Sequence, residues 1–209
     1  METLTRGLDN LWTADGLTDP EKNLLQKFIA EVARKAKGFI SELFGFDKTR
    51  TAKSRPEEFI ISKESVEEDF FQPIREREAS AGNIVPWLDE DIWKFWKGKK
   101  VPGFLVDIIF SIYRFLKNLT HRQILEEGEK QEIKKIYSYA QAKEIIRTAI
   151  WAGDVDQKNT GVFAYFKVDA GGPLYRFSAF RRGGGQLRVF VDGVGLDGVW
   201  YVGLGVCFG

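Results

Sequence analysis

Apolar residues recur every three or four positions through most of the chain and every second position near its end, so the pattern predicts helices followed by strands. Leu24, Leu25, Phe28, Ile29, Val32, Ala36, Phe39, Ile40, Leu43 and Phe44 draw one stripe. Thr18 and Glu21 stand at capping-box spacing before it, with Pro20 in the first turn, which predicts a helix starting there. Past Gly45 the stripe stops, and Lys48, Arg50, Lys53 and Arg55 predict a basic loop. Ser65 with Glu68 predicts a second, short helix to Phe71 that Pro73 ends or kinks. Residues 79–86, with Gly82 and Asn83 as breakers, read as a linker, and residues 88–97 as a compact helix carrying Trp93 and Trp96.

Residues 101–116 are the most apolar stretch. Asp107, Ser111, Arg114 and Asn118 are spaced four, three and four apart, which on a helix makes one narrow polar stripe, so a nearly covered helix is predicted. Thr120 with Gln123 marks another helix start, ahead of a charge-dense run in which Gly128 is a candidate break. Ser138 with Gln141 caps the last helix; Ala142, Ile145, Ile146, Ala149 and Ile150 line its apolar side, and Gly153 is placed to end it.

Beyond Asn159 the alternation predicts four strands, at 162–168, 174–181, 186–192 and 199–208, joined by short glycine-rich connections. The expected fold is therefore α+β: a helical N-terminal three-quarters, residues 1–152, followed by a C-terminal four-stranded antiparallel β-meander, residues 153–209, the two sharing a core.

Composition narrows the chemistry. Thirty-one Lys and Arg against thirty Asp and Glu leave a net charge of +1, so any preference for a charged partner has to be local. One cysteine, Cys207, cannot form an internal disulfide or a cysteine-rich zinc cluster, and one histidine, His121, cannot supply a multi-histidine metal site. His121 reads as a solvated helix-start residue. No basic leader with an apolar stretch opens the chain, which points to a cytoplasmic, reducing location. No cofactor, metal or catalytic residue is assigned, and the expectation leans away from an enzyme.

Gly193, Gly195 and Gly198 match the dinucleotide fingerprint, but a strand rather than a helix is expected after them, so they read as a hairpin turn. Asp89 to Asp91, Asp154, Asp156 and the Glu126 to Glu132 run have no diagnostic spacing and read as helix-start or solvating charges. Trp87, Trp93 and Trp96 among Lys94, Lys97, Lys99 and Lys100 suit a membrane surface, but Asp107 and Arg114 inside the following apolar stretch make peripheral membrane contact a minor option.

The expected sheet offers the best surface. Alternation places Val162, Ala164, Phe166, Phe177, Leu187, Val189, Trp200, Val202 and Val206 toward a core. The other side mixes aromatic rings with cations, and the candidate macromolecule-binding residues are Tyr165, Arg176, Phe180, Arg188, Phe190 and Tyr201, aided by Arg181 and Arg182. The leading expectation is a non-enzymatic intracellular protein that binds a protein partner through this side or its hairpins. Single-stranded nucleic acid, stacked on Tyr165, Phe180 and Phe190, is the alternative, and a metal-dependent enzyme using Asp or Glu is a third. Six cations and five anions from Gly153 onward are few for a dedicated nucleic-acid domain.

Overall fold

A computed structural model describes residues 43–130, Ile133 and residues 136–209. The stripe expected to form the first helix lies outside these residues except at its end. Twelve strands are described: β1 (Phe44–Ala52), β2 (Phe59–Ile60), β3 (Trp87–Leu88), β4 (Lys100–Val101), β5 (Ile108–Phe115), β6 (Leu119–Thr120), β7 (Ile136–Ser138), β8 (Gly161–Lys167), β9 (Tyr175–Arg181), β10 (Leu187–Gly193), β11 (Val199–Trp200) and β12 (Gly205–Phe208). Five helices accompany them: α1 (Lys63–Val66), which runs through a π-helical turn (Glu67–Phe71) into α2 (Gln72–Ser80), then α3 (Asp91–Lys94), α4 (His121–Lys130) and α5 (Tyr139–Trp151).

Eight strands form one mixed sheet in the order β1-β5-β12-β8-β9-β10-β3, with β7 also on β8. The expected helical three-quarters with a four-stranded meander is thus wrong, and the described residues are not mainly helical. Two segments account for the correction. The expected basic loop is β1, whose Lys48 and Arg50 are held by the buried carboxylate of Asp154 rather than by water. The expected covered helix at 101–116 is a loop followed by β5, whose Ile-Ile-Phe-Ser-Ile-Tyr-Arg-Phe is rich in β-branched and aromatic residues that suit a pleated surface. Both faces of β5 are largely covered, so its alternation is hidden in a continuous apolar run.

The last three expected elements before residue 193 form as read. β8, β9 and β10 are an antiparallel meander, registered Val162 to Ala179 and Val189 to Ala179. The fourth strand does not join it. Residues 199–208 split at a turn where Gly203 takes φ +87°. β11 leaves to pair with β6, while β12 enters between β5 and β8, antiparallel to the first and parallel to the second. β8 carries two parallel neighbours along one edge, β12 beside Val162 and Phe163 and β7 beside Tyr165 to Lys167. The glycines at 193–198 are therefore a crossover from β10 to the β6–β11 ribbon, not a hairpin, and no helix begins in them.

Helix α5 lies on the core face of the sheet. Ser138 caps it, accepting from the Gln141 N–H at 3.3 Å while Gln141 Oε1 accepts from the Ser138 N–H, and Gly153 follows its end with φ +81°. Ala142, Ile145, Ile146, Ala149 and Ile150 are fully buried in one core cluster with Val162, Ala164, Phe166, Phe177, Ala179, Leu187 and Val189. Each large apolar side chain removed from water here contributes roughly 1.5–3 kcal/mol. The helix through Pro73 is longer than expected because its cap is Ser62, not Ser65: Ser62 Oγ accepts from the Ser65 N–H, and Ser65 Oγ accepts from the Ser62 N–H. The π turn precedes Pro73, with Gln72 N–H bonded to the Glu67 carbonyl, and its wider path accommodates a residue that has no N–H to give. The Leu88–Lys97 helix shrinks to α3; Trp96 packs edge-on against Tyr139, Phe166 and Tyr175, so its ring belongs to the core rather than to a membrane surface. Among the described residues no helix is long and apolar enough to cross a membrane.

Candidate functional site

Alternation along β8, β9 and β10 sends Phe163, Tyr165, Arg176, Ser178, Phe180, Arg188, Phe190 and Asp192 to the face opposite α5. Cross-strand register sorts them into rows: Tyr165, Arg176 and Asp192; Phe163, Ser178 and Phe190; Phe180 and Arg188 with Trp87 of β3 beyond. The first row is closed over by α4 and the β6–β11 ribbon, and the last row is open.

The closed end is organised by His121, the first residue of α4, which is 1% exposed rather than solvated. Its Nε2 faces two obligate donors, Trp200 Nε1 at 2.5 Å and an Arg176 guanidinium nitrogen at 2.7 Å. Nε2 therefore carries no proton, the proton sits on Nδ1, and Nδ1–H donates to the Tyr165 hydroxyl at 2.5 Å. Burial, reinforced by the Arg176 charge, lowers the imidazole to about 4. Burial likewise raises the Tyr165 phenol. Arg176 also pairs with Asp192 at 2.8 Å and lies over the Trp200 ring. Every member of this group is held by another, which describes a fixed neutral-histidine strut more than a reactive centre.

The open end holds an apolar pocket of about 190 Å³ whose walls include Phe163, Phe180, Phe190, Trp200 and Leu204. Gly161 makes room for it: a Cβ there would stand 2.9 Å from Phe180 Cδ2 and 3.2 Å from Leu204 Cδ2. Ser178, 2% exposed, also borders the pocket, and its Oγ has no hydrogen-bond partner among the described residues. One strand away, Arg188 stacks on Trp87 with its guanidinium 4.9 Å from the ring centroid, makes no ion pair among the described residues, and has a buried Nε without a partner.

The structure thus gathers Phe180, Arg188 and Phe190 and separates the other expected binding residues. Tyr165 is fully buried under His121, and Arg176 is committed to Asp192. Arg181 points to the core side, where it is buried and bonded to Glu78 at 2.9 and 3.0 Å and to the Val155 and Gly185 carbonyls. Arg182 is exposed in the turn after β9. Tyr201 is 67% exposed in the turn after β11, away from the meander. Trp200, expected in the core layer, instead covers Phe163 at 4.8 Å between ring centroids.

A second concavity, of about 570 Å³, lies in the helix layer between the β1–β2 connection, the π turn and α5. Lys143 and Glu144, on the flank of the α5 apolar stripe, are buried there. The π turn supplies Asp69, which receives Lys143 Nζ, Arg55 at 3.0 Å and Arg147 at 3.8 Å. Burial tends to raise the Asp69 carboxyl, and the attraction of Lys143, Arg55 and Arg147 outweighs it, so the group ends below the usual range. Sequence pattern gave no notice of this cluster, though two charges flanking the apolar stripe of a strongly capped helix were its one visible sign.

Comparison of the chain with models of known protein families, with curated proteins and with solved structures finds no match in any of the three.

Proposed function

We propose that the protein binds another protein through the open end of the sheet's second face. An apolar side chain of the partner sits in the pocket between Phe163, Phe180, Phe190 and Trp200, and a neighbouring carboxylate pairs with Arg188. The observation that supports this reading is the coincidence, on one face, of an apolar pocket and two buried polar groups without partners among the described residues, Ser178 Oγ and Arg188 Nε. Each such group costs about 1–3 kcal/mol in the isolated chain, a cost that a bound donor or acceptor removes. A pocket of this size takes one side chain, the usual form of an interface anchor. Single-stranded nucleic acid is less well supported, because Tyr165 is buried and Arg176 and Arg181 already have carboxylate partners. We place the activity in the cytoplasm, where a lone buried thiol such as Cys207 stays reduced.

The test is selection of a displayed random-peptide library on the full chain, with counter-selection on a Phe190→Asp variant. Enrichment of an aromatic or aliphatic residue within two positions of Asp or Glu is expected, with binding lost in Arg188→Ala. No enrichment, or enrichment that survives both substitutions, overturns the reading. A labelled single-stranded oligonucleotide that binds more tightly than any selected peptide would replace the protein partner with the nucleic acid.

A further inference from the structure

Rings make up most of the wall of the pocket on the partner-binding face: Phe163, Phe180, Phe190 and Trp200 all border it. No charged side chain lines it, so an ammonium or a carboxylate entering here would lose its water and gain no counter-charge. Rings pack on rings edge to face or offset, which favours an aromatic occupant.

One polar atom stands apart from this lining. Ser178 rises from β9 between Phe163 of β8 and Phe190 of β10, its cross-strand neighbours on the same face. It is 2% exposed, whereas Phe180, Phe190 and Trp200 are partly exposed, so the serine belongs to the closed side of the pocket and those rings to its mouth. Its Oγ makes no hydrogen bond among the described residues. The other polar side-chain atom on the wall, Trp200 Nε1, is already given to His121 Nε2 at 2.5 Å. An alanine at position 178 would leave nothing unpaired, so the hydroxyl finds its use in what enters the pocket.

The group that completes a lone hydroxyl among rings is uncharged and needs one hydrogen bond. A carboxamide carries two donors and an acceptor and would leave most of them bare here. An indole N–H lies on the flank of a bicyclic ring. A phenol hydroxyl lies at the tip of its ring, the end that enters a pocket first, and it both donates and accepts, as serine does. We infer that the partner side chain taken by this pocket is a tyrosine, its ring between Phe180, Phe190 and Trp200 and its hydroxyl bonded to Ser178 Oγ. The inference rests on the reading of this face as the partner-binding surface, and it makes Ser178 the residue that selects the anchor.

Titration of the isotope-labelled full chain with p-cresol, toluene and 3-methylindole, the side chains of tyrosine, phenylalanine and tryptophan, tests this through the NMR shifts of the β8, β9 and β10 amides. In the unsubstituted chain p-cresol is expected to bind about threefold or more tightly than toluene, as one buried hydrogen bond allows. In Ser178→Ala the order is expected to invert, because the phenol hydroxyl then gives up its water for nothing. If that variant does not fold, Ser178→Cys decides: its thiol is a weak donor and acceptor, so the preference for p-cresol should be lost. Toluene or 3-methylindole ahead of p-cresol in the unsubstituted chain, or p-cresol still ahead of toluene in the folded variant, overturns the inference and leaves the apolar anchor standing. If none of the three probes shifts these amides, the pocket takes no side chain, and the partner-binding reading falls with the inference.

Discussion

The guanidinium of Arg176 lies 4.0 Å from the centroid of the Trp200 indole. Together the two side chains present their N–H groups to a single nitrogen of His121. That contact joins the β6–β11 ribbon to the meander and fixes a histidine in its neutral form, which makes stability depend on pH in a definite direction.

His121 is lowered to about 4 in the folded chain against 6.5 for the free side chain. Between these values the unfolded chain binds the proton and the folded chain does not, so stability falls as pH drops from about 6.5 toward 4 and is indifferent to His121 above 6.5. The loss is on the order of 3 kcal/mol across that window. Urea unfolding at pH 7, 6 and 5 should show it, and His121→Gln should flatten this part of the profile. An equal pH slope in both proteins would exclude the buried neutral histidine as its source.

Arg181 and Glu78 form a pair buried at both ends, with further acceptors at the Val155 and Gly185 carbonyls. Removing Arg181 takes two charge-assisted hydrogen bonds from the buried Glu78 and leaves it Arg77, at 2.5 Å. Arg181→Met is expected to cost about 1.5–3 kcal/mol, while the double variant Arg181→Met with Glu78→Leu recovers part of it. Chemical denaturation of the wild type, the two single variants and the double variant gives the coupling directly. If Arg181→Met loses less than the double, the pair does not act as a unit.

Ser138 and Gln141 close the N-terminus of α5, the helix that covers the sheet. Ser138→Ala should lower stability by about 1 kcal/mol, and Ser138→Asp should restore most of it, because a carboxylate also caps the first turn. The thermal midpoint of each variant measures this. A midpoint unchanged in Ser138→Ala means that packing alone sets the helix start.

Cys207 is wholly buried in the core cluster, and burial raises its thiol well above the ordinary range. It should react with a soluble disulfide reagent only through unfolding, at a rate that rises with denaturant. Rapid reaction in the native protein would contradict the position of β12 between β5 and β8.

Local signals carried the segments whose neighbours are close in sequence. The α5 cap, its stripe and Gly153 are all set within a few residues of each other, and the meander of β8 to β10 is set by alternation and by short turns. The inward and outward sides of those strands were legible too, and with them the Phe180, Arg188 and Phe190 group. The charged cavity was not, because Asp69 and Glu144 meet only through packing of α5 against the π turn. Nor was His121, whose charged neighbours in sequence gave no hint of the rings that bury it.

What the amino-acid order settled alone is where regular structure starts and stops around residues 138–193 and which side of each strand is apolar, since period and capping are properties of adjacent residues. Which strand lies beside which was decided by tertiary structure. A backbone edge offers the same N–H and C=O groups to any partner, so the insertion of β12 beside β8 and the departure of β11 to β6 follow from burying Val206, Cys207 and Phe208, which alternate between the two faces, and from laying Trp200 over Phe163. The same rule explains β5: a strand covered on both faces shows no alternation, and only the neighbours that cover it distinguish it from a buried helix.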